Sequence, residues 1–182
     1  MREEKYTAIK IYQELKYIMD KGIPFCDIHF NDYVNKLDYM HCFNGPYNTP
    51  YENGLFPVKL YYPIDYPKSP PKIQFLVPIY HPNIYNKNDG KMPLGTYYLP
   101  NMKNWDPNVK IMDILTNISS VFTTFDLDNS NRIMDEDIKN EIINNKDLFV
   151  KKAKYFTFKY ANVQNNFKKD RTFWDFSYND YY

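Results

Sequence analysis

Between residues 25 and 77, strand-like segments follow one another at intervals too short to admit a helical crossover. Residues 25–30, 33–43, 55–62 and 73–77 are rich in aromatic and β-branched side chains. Asn31 and Asp32, the stretch 45–54 and the proline-rich run 63–71 separate them. Parallel neighbours need a connection of a dozen or more residues, usually a helix, so the spacing predicts a four-stranded antiparallel meander. Gly45 and Gly54 are expected to serve the turns.

Helical periodicity flanks this region on both sides. The spacing predicts a helix over residues 4–20, where Ala8, Tyr12, Leu15 and Met19 form a stripe that Ile11 and Ile18 widen. Gly22 and Pro24 end it, the first by accepting a left-handed cap and the second by refusing to continue. Glu3, Lys10, Glu14 and Lys21 read as its solvated face. Residues 78–108 have little periodicity and much Pro, Asn and Gly, which predicts a long irregular segment of the kind that often carries function. A second helix is expected from Asp106, with Asp as N-cap and Pro107 in the first helical position. Ile111, Ile114, Leu115, Ile118, Val121, Phe122 and Phe125 mark its core side. Two further helices are expected over 135–144 and 146–161, with Leu148, Phe149, Ala153, Phe156 and Tyr160 as the apolar side of the last. Helix, strands, long loop and helices in that order make an α+β pattern.

At 182 residues, the chain suits one domain, a core over 1–161 with a tail over 162–182. The tail holds Phe167, Phe173, Trp174, Phe176, Tyr178, Tyr181 and Tyr182, too many rings for a solvated linker, and is expected to pack back on the core or bind a partner. A net charge of +1 gives no electrostatic footprint of general nucleic-acid or acidic-membrane binding. No apolar run approaches the roughly 20 residues of a membrane span, and the N-terminus has no secretory signal pattern. The expected location is therefore cytoplasmic and/or nuclear. Cys26 and Cys42 are the chain's 2 cysteines and have no Cys/His cluster around them, which argues against a zinc site or a disulfide framework. No metal or small-molecule cofactor is implied. Cys26 is read as preceding the first strand and Cys42 as lying within the second.

Three segments, GPYNTPYENGLF (45–56), YYPIDYPKSPPKIQF (61–75) and IYHPNI (79–84), occur in an order that resembles the ubiquitin-conjugating enzyme family. The resemblance continues through Trp105, Asp106 and Pro107 and ends at Lys159, Tyr160 and Ala161. It implies a fold of N-terminal helix, four-stranded antiparallel meander, active-site loop and C-terminal helices. It also implies a cysteine just after a glycine that follows the His-Pro-Asn motif. In such enzymes that thiolate carries ubiquitin as a thioester, and the asparagine helps stabilise the oxyanion. In this chain His81, Pro82 and Asn83 are followed by Gly90, Lys91, Met92 and then Pro93, which falls where the family has its cysteine. No cysteine follows Cys42, and the nearby hydroxyl of Thr96 has no evident base to activate it. The acidic residue that the family places before its third helix falls on Asn131 or Arg132.

The degenerate site His81, Pro82, Asn83 and Pro93 is thus expected to be non-catalytic, with His81 and Asn83 holding the long loop through backbone hydrogen bonds. Lys68, Asp106, Pro107, Asn108 and Trp174 are the candidate partner-binding residues. Lys68 stands where many relatives carry an apolar anchor for ubiquitin ligases, which a charged tip cannot replace at equal cost. The leading expectation is a non-catalytic variant that binds an active ubiquitin-conjugating enzyme, ubiquitin, or a ligase or adaptor complex. The alternatives are an active transferase using an unconventional residue, and a structural adaptor that does not bind ubiquitin.

Overall fold

The computed structural model describes residues 2–29, 37–100 and 102–162. Helix α1 (Arg2–Lys21) comes first, followed by strands β1 (Cys26–His29), β2 (Asp38–Asn44), β3 (Leu55–Tyr61) and β4 (Lys72–Phe75). A two-residue strand β5 (Thr96–Tyr97) comes next, then helices α2 (Ile111–Ser120), α3 (Glu136–Asn144) and α4 (Lys146–Tyr160). All neighbouring strands are antiparallel, in the order β1-β2-β3-β4-β5. The expected meander is present, with one correction. It gains a fifth strand inside the stretch expected to be irregular, because Thr96 and Tyr97 pair with Gln74 and Ile73 on the free edge of β4. Two residues are too few to show an alternating pattern in a sequence.

The register puts Tyr39, His41 and Phe43 of β2 opposite Leu60, Val58 and Phe56 of β3, and all six are buried on one face of the sheet. Against that face pack Ile11, Leu15 and Ile18 of α1 and Ile111, Ile114, Leu115 and Ile118 of α2. Phe122 stands at the centre of an aromatic group, 4.7 Å from Phe56, 5.6 Å from Tyr51 and 6.1 Å from Phe75 between ring centroids. The contacts with Tyr51 and Phe75 are edge-on and that with Phe56 is tilted, and such ring pairs add to the burial of the rings themselves.

Several local readings need correction. The α1 stripe centres on Ala8, Ile11, Leu15 and Ile18, leaving Tyr12 half-buried and Met19 exposed. On α4 the buried line is Phe149, Ala153 and Thr157, while Leu148 is exposed; the Thr157 hydroxyl is satisfied by the carbonyls of Ala153 (2.9 Å) and Pro50 (3.2 Å), which lets a polar residue occupy a core position. Cys26 opens β1 rather than preceding it. Gly22 does take the left-handed cap, at φ 71°. Gly45 and Gly54, by contrast, are required by close approach: an added Cβ would lie 1.7 Å from the Tyr51 carbonyl oxygen and 2.5 Å from the Phe56 ring, respectively.

The second helix begins at Ile111 and not at Pro107, four residues later than an N-cap at Asp106 would set it. Asp106 spends its carboxylate on a local turn, accepting from the Asn108 backbone and side-chain nitrogens at 2.9 Å each. The orphan N–H of Ile111 is instead capped from a distance by Glu14 of α1, whose Oε1 accepts it at 2.7 Å. Glu14 therefore belongs to the joint between α1 and α2 and not to a solvated face. Replacing it should test that joint. Glu14→Ala is expected to cost about 1–2 kcal/mol in urea unfolding, whereas Lys10→Ala on the exposed face should stay within about 0.5 kcal/mol of the parent.

Candidate functional site

The segment from Ile79 to Ile84 runs behind β5, and an antiparallel bridge joins Ile84 to Tyr97. The backbone N–H of Tyr85 donates to the Thr96 carbonyl (3.0 Å), and that of Gly95 donates to the Tyr85 carbonyl (2.7 Å). The intervening residues 86–94 are thus a closed loop pinned at its base. Gly95 is indispensable to the pinning: it has φ 78°, and an added Cβ would fall 1.9 Å from the Phe75 carbonyl oxygen. Upstream, the Tyr51 hydroxyl donates to the Tyr80 carbonyl (2.8 Å), tying the segment to the 45–54 turn.

His81 and Asn83 are both buried. The backbone N–H of Asn83 donates to His81 Nδ1 (3.0 Å), which leaves Nε2 to carry the proton and donate to the Val121 carbonyl at 2.9 Å. Burial, reinforced by the positive charge of Arg132, lowers the His81 pKa to about 3, against the weaker opposing pull of the Val121 hydrogen bond. The ring is a neutral structural element. The Asn83 side chain crosses to the segment that follows α2. Its Nδ2 donates to the carbonyls of Asp126 (2.8 Å) and Arg132 (3.0 Å), and its Oδ1 accepts from Asp126 N (3.0 Å). Both amide hydrogens are committed, so reaching a reacting carbonyl would require giving one up.

Arg132 completes the network from below. Its guanidinium donates to Asp126 Oδ2 (2.8 Å), to the Tyr97 hydroxyl (2.8 Å) and to the Tyr98 carbonyl (3.2 Å). The Tyr97 hydroxyl in turn donates to Asn117 Oδ1 of α2 at 2.9 Å. Sequence reading considered Arg132 only as a position that had lost an acid, and it missed Tyr97, Asn117 and Asp126 altogether. Arg132 lies next to Asn131, whose Oδ1 accepts from Lys103 Nζ at 2.9 Å on the exposed side.

Pro93 is exposed near the end of the pinned loop. Its carbonyl accepts both from Thr96 N (3.3 Å) and from the Thr96 hydroxyl (2.6 Å). That hydroxyl is therefore bound to an oxygen that cannot take a proton from it. The thiols lie elsewhere. Cys42 on β2 is three strands from β5 and Cys26 on β1 is four, or about 14 and 19 Å at the usual inter-strand spacing. Both are buried. Burial and the charge of Asp27 push Cys42 up to about 11, and burial pushes Cys26 higher still, so neither offers a thiolate at neutral pH. Among the described residues no group of His, Cys, Asp and Glu could hold a metal ion.

Lys68, Asp106, Pro107 and Asn108 are all exposed. Trp105 joins their two loops, its Nε1 donating to the Pro67 carbonyl at 2.7 Å, and the Thr7 hydroxyl of α1 fixes the first loop through the Ile64 carbonyl at 2.8 Å. Trp174 lies outside the described residues. No helix of the described residues is long and apolar enough to cross a membrane.

Residues 10–157 match the family described as ubiquitin-conjugating enzyme. The chain belongs to the ubiquitin-conjugating enzyme family. Ubiquitin-conjugating enzyme E2 T of Danio rerio is 39% identical over 67% of the chain, and the chain spans 60% of that relative's length. Ubiquitin conjugating enzyme E2 B of Dictyostelium discoideum is 31% identical over 84% of the chain and 96% of its own length. Ubiquitin-conjugating enzyme E2 13 of Saccharomyces cerevisiae is 36% identical over 84% of the chain and 93% of its own length. A solved structure from Plasmodium yoelii, assigned as a ubiquitin conjugating enzyme, superposes with a TM-score of 0.70 at 29% identity, covering 84% of this chain and 94% of that one. The ubiquitin-conjugating fold expected from the sequence is thus the fold of this chain.

Two outcomes check the geometry of the site. Asn83→Ala strands buried backbone groups at Asp126 and Arg132 and is expected to destabilise the fold by about 2–4 kcal/mol in denaturant melts. The second outcome concerns pH. The unfolded chain protonates His81 near pH ~6.5, whereas the folded chain resists protonation down to about 3. The unfolded state therefore binds more protons in that window. The stability His81 contributes is full above pH ~6.5 and is lost as pH falls through it. Between pH 7 and 5 the parent should lose about 2 kcal/mol more than His81→Gln, read from paired unfolding curves.

Proposed function

We propose that this member of the family is a non-catalytic variant that works by binding. The observation that carries the reading is Pro93, a residue without a nucleophilic side chain, exposed on the pinned loop where the family resemblance sets the cysteine. Acyl transfer through a thioester needs a thiolate within reach of the activated carboxyl group. The remote, buried Cys26 and Cys42 do not meet that need, nor does the Thr96 hydroxyl, bound to a carbonyl. The intact network around His81 and Asn83 supports a protein that keeps the shape of a conjugating enzyme while presenting surfaces.

The partners in this reading are an active ubiquitin-conjugating enzyme and/or ubiquitin, and the reading extends to a ubiquitin ligase or adaptor complex, with Lys68, Asp106, Pro107 and Asn108 as the candidate contact residues. The place of action is the cytoplasm and/or the nucleus. Lys68 bears on partner choice, because a groove built for an apolar anchor rejects an ammonium group, while an acidic rim would accept it.

The test is charging. Incubation of the full chain with activating enzyme, ATP and ubiquitin is expected to yield no adduct that a thiol reductant removes, at a level at least 100-fold below an active conjugating enzyme. A reductant-sensitive adduct on the parent chain would sink the reading. Pro93→Cys serves as the positional control and should acquire such an adduct if the loop still meets the activating enzyme. Affinity capture from native lysate should then recover an active conjugating enzyme in stoichiometric amount.

A further inference from the structure

The chain's net charge of +1 conceals an uneven distribution. Helix α4 carries five lysines, Lys146, Lys151, Lys152, Lys154 and Lys159, against one acid, Asp147. The remainder of the chain is therefore net negative. Lys152 is already engaged by Glu141 of α3. Lys159 stands over the rings of Tyr155 (5.7 Å) and Tyr160 (4.9 Å). Among the described residues, Lys151 and Lys154 have no carboxylate within ion-pair distance.

Lys151, Lys154, Tyr155 and Phe158 fall at helical spacing on the side of α4 opposite the buried Phe149, Ala153 and Thr157. All four are exposed, Tyr155 to 56% and Phe158 to 62%. Leu148 extends the same side toward the start of the helix, so rings and ammonium groups alternate along about 15 Å. Lys154 and Phe158 also form one wall of a cleft of about 340 Å³, and Pro50 and Asn53 of the 45–54 turn form the other. Glu52 lines the turn side as well, where its Oε2 accepts from Asn48 N at 3.2 Å. Tyr155 lies on the open helix face beside the cleft and not in its wall.

We propose that this face binds a short acidic peptide segment of a partner, whose carboxylates meet Lys151 and Lys154 while one large apolar side chain enters the cleft between Pro50 and Phe158. Charge complementarity selects the sign of the partner. The rings and the cleft supply the apolar area that charge alone does not. Glu52 repels an acid on the turn side, so the acidic residues belong over the helix and the apolar anchor in the cleft. A nucleic acid carries a phosphate at every step and would set some of them against Glu52 and Asp147. A bilayer is flat and leaves the cleft empty, and the side of α4 that would enter it is already buried at Phe149 and Ala153. The proposal goes beyond the non-catalytic role and holds whatever stands at residue 93.

The test is a titration of the isotope-labelled full chain with the end-capped peptide Glu-Asp-Glu-Ser-Phe-Ser-Gly and, separately, with its reversed sequence. One of the two is expected to shift the amide signals of residues 148–159 and 49–53 saturably. Lys151→Glu combined with Lys154→Glu should weaken that binding about tenfold. Lys10→Glu combined with Lys16→Glu makes the same charge change at exposed positions of α1 and should leave the affinity within about twofold. Phe158→Ser, or serine in place of the peptide's phenylalanine, should cost about fivefold. The proposal is overturned if neither peptide shifts α4, if both double variants weaken binding equally, or if neither serine replacement matters. Tighter binding of the same face to oligouridylate, or to phosphatidylserine–phosphatidylcholine vesicles, also overturns it and makes a nucleic acid or a lipid surface the occupant.

Discussion

The carboxamide of Asn83 is the junction on which the site's architecture depends. Three hydrogen bonds from one buried side chain join the 79–84 segment to the backbone at Asp126 and Arg132. Without them, two stretches of irregular chain would meet in the interior with unpaired carbonyls and an unpaired N–H, each costing about 1–3 kcal/mol. The same junction holds Arg132 in place to reach Asp126, Tyr97 and, through Tyr97, Asn117. Helix α2, strand β5 and the loop after α2 are thereby parts of one polar network set against the apolar core. Networks of this kind stabilise only when every member is satisfied, so they favour one arrangement over its neighbours.

None of these bonds runs to residue 93. The scaffold that positions the loop and the atom that would do chemistry on it are physically separate. His81 contributes a neutral ring and a fixed tautomer, and Asn83 contributes a clamp; both functions are complete within the backbone they bind. A sequence can therefore keep the His-Pro-Asn motif for reasons of folding whatever stands at the loop's end. The pinned loop obeys the same logic. Gly95 and the paired Tyr85 set its base, and Pro93 needs only to offer its carbonyl to Thr96.

Much of this was legible in the sequence, because the relevant signals are local. Short connections dictated an antiparallel meander, and Gly22 marked a helix end. The helix expected over 135–144 is α3, and the structure adds its cap: the Asp135 side chain accepts from Asp137 N and Ile138 N. The misreadings arose wherever a distant partner settled a local choice. Asp106 and Pro107 carry a sound N-cap signal, yet the helix starts at Ile111 because Glu14, in another helix, supplies the cap there. Thr157 lies in the core because a carbonyl of the 45–54 turn is in reach. Strand β5 exists only because the edge of β4 is free to receive it. At the site, His81 and Asn83 were visible as a motif. Arg132 was not, since a lone arginine in a polar loop gives no sign that Tyr97 and Asp126 will enclose it.

The exposed candidates invert this relation between side chain and backbone. Lys68, Asp106, Pro107 and Asn108 contribute nothing to the core; their positions are fixed by other groups, chiefly the Trp105 indole on the Pro67 carbonyl and Thr7 on Ile64. The backbone of that platform can stay constant while its side chains vary freely, because no buried group depends on them. Partner choice then becomes a matter of a few exposed groups on a rigid frame. A cation at 68 beside an acid at 106 describes a polar, mixed-charge platform, whereas an apolar residue at 68 would describe a hydrophobic one. Because discrimination is a difference between two binding energies, a single ammonium at such a position would, in the binding role proposed above, weigh against apolar-groove partners as much as a new contact would recruit others.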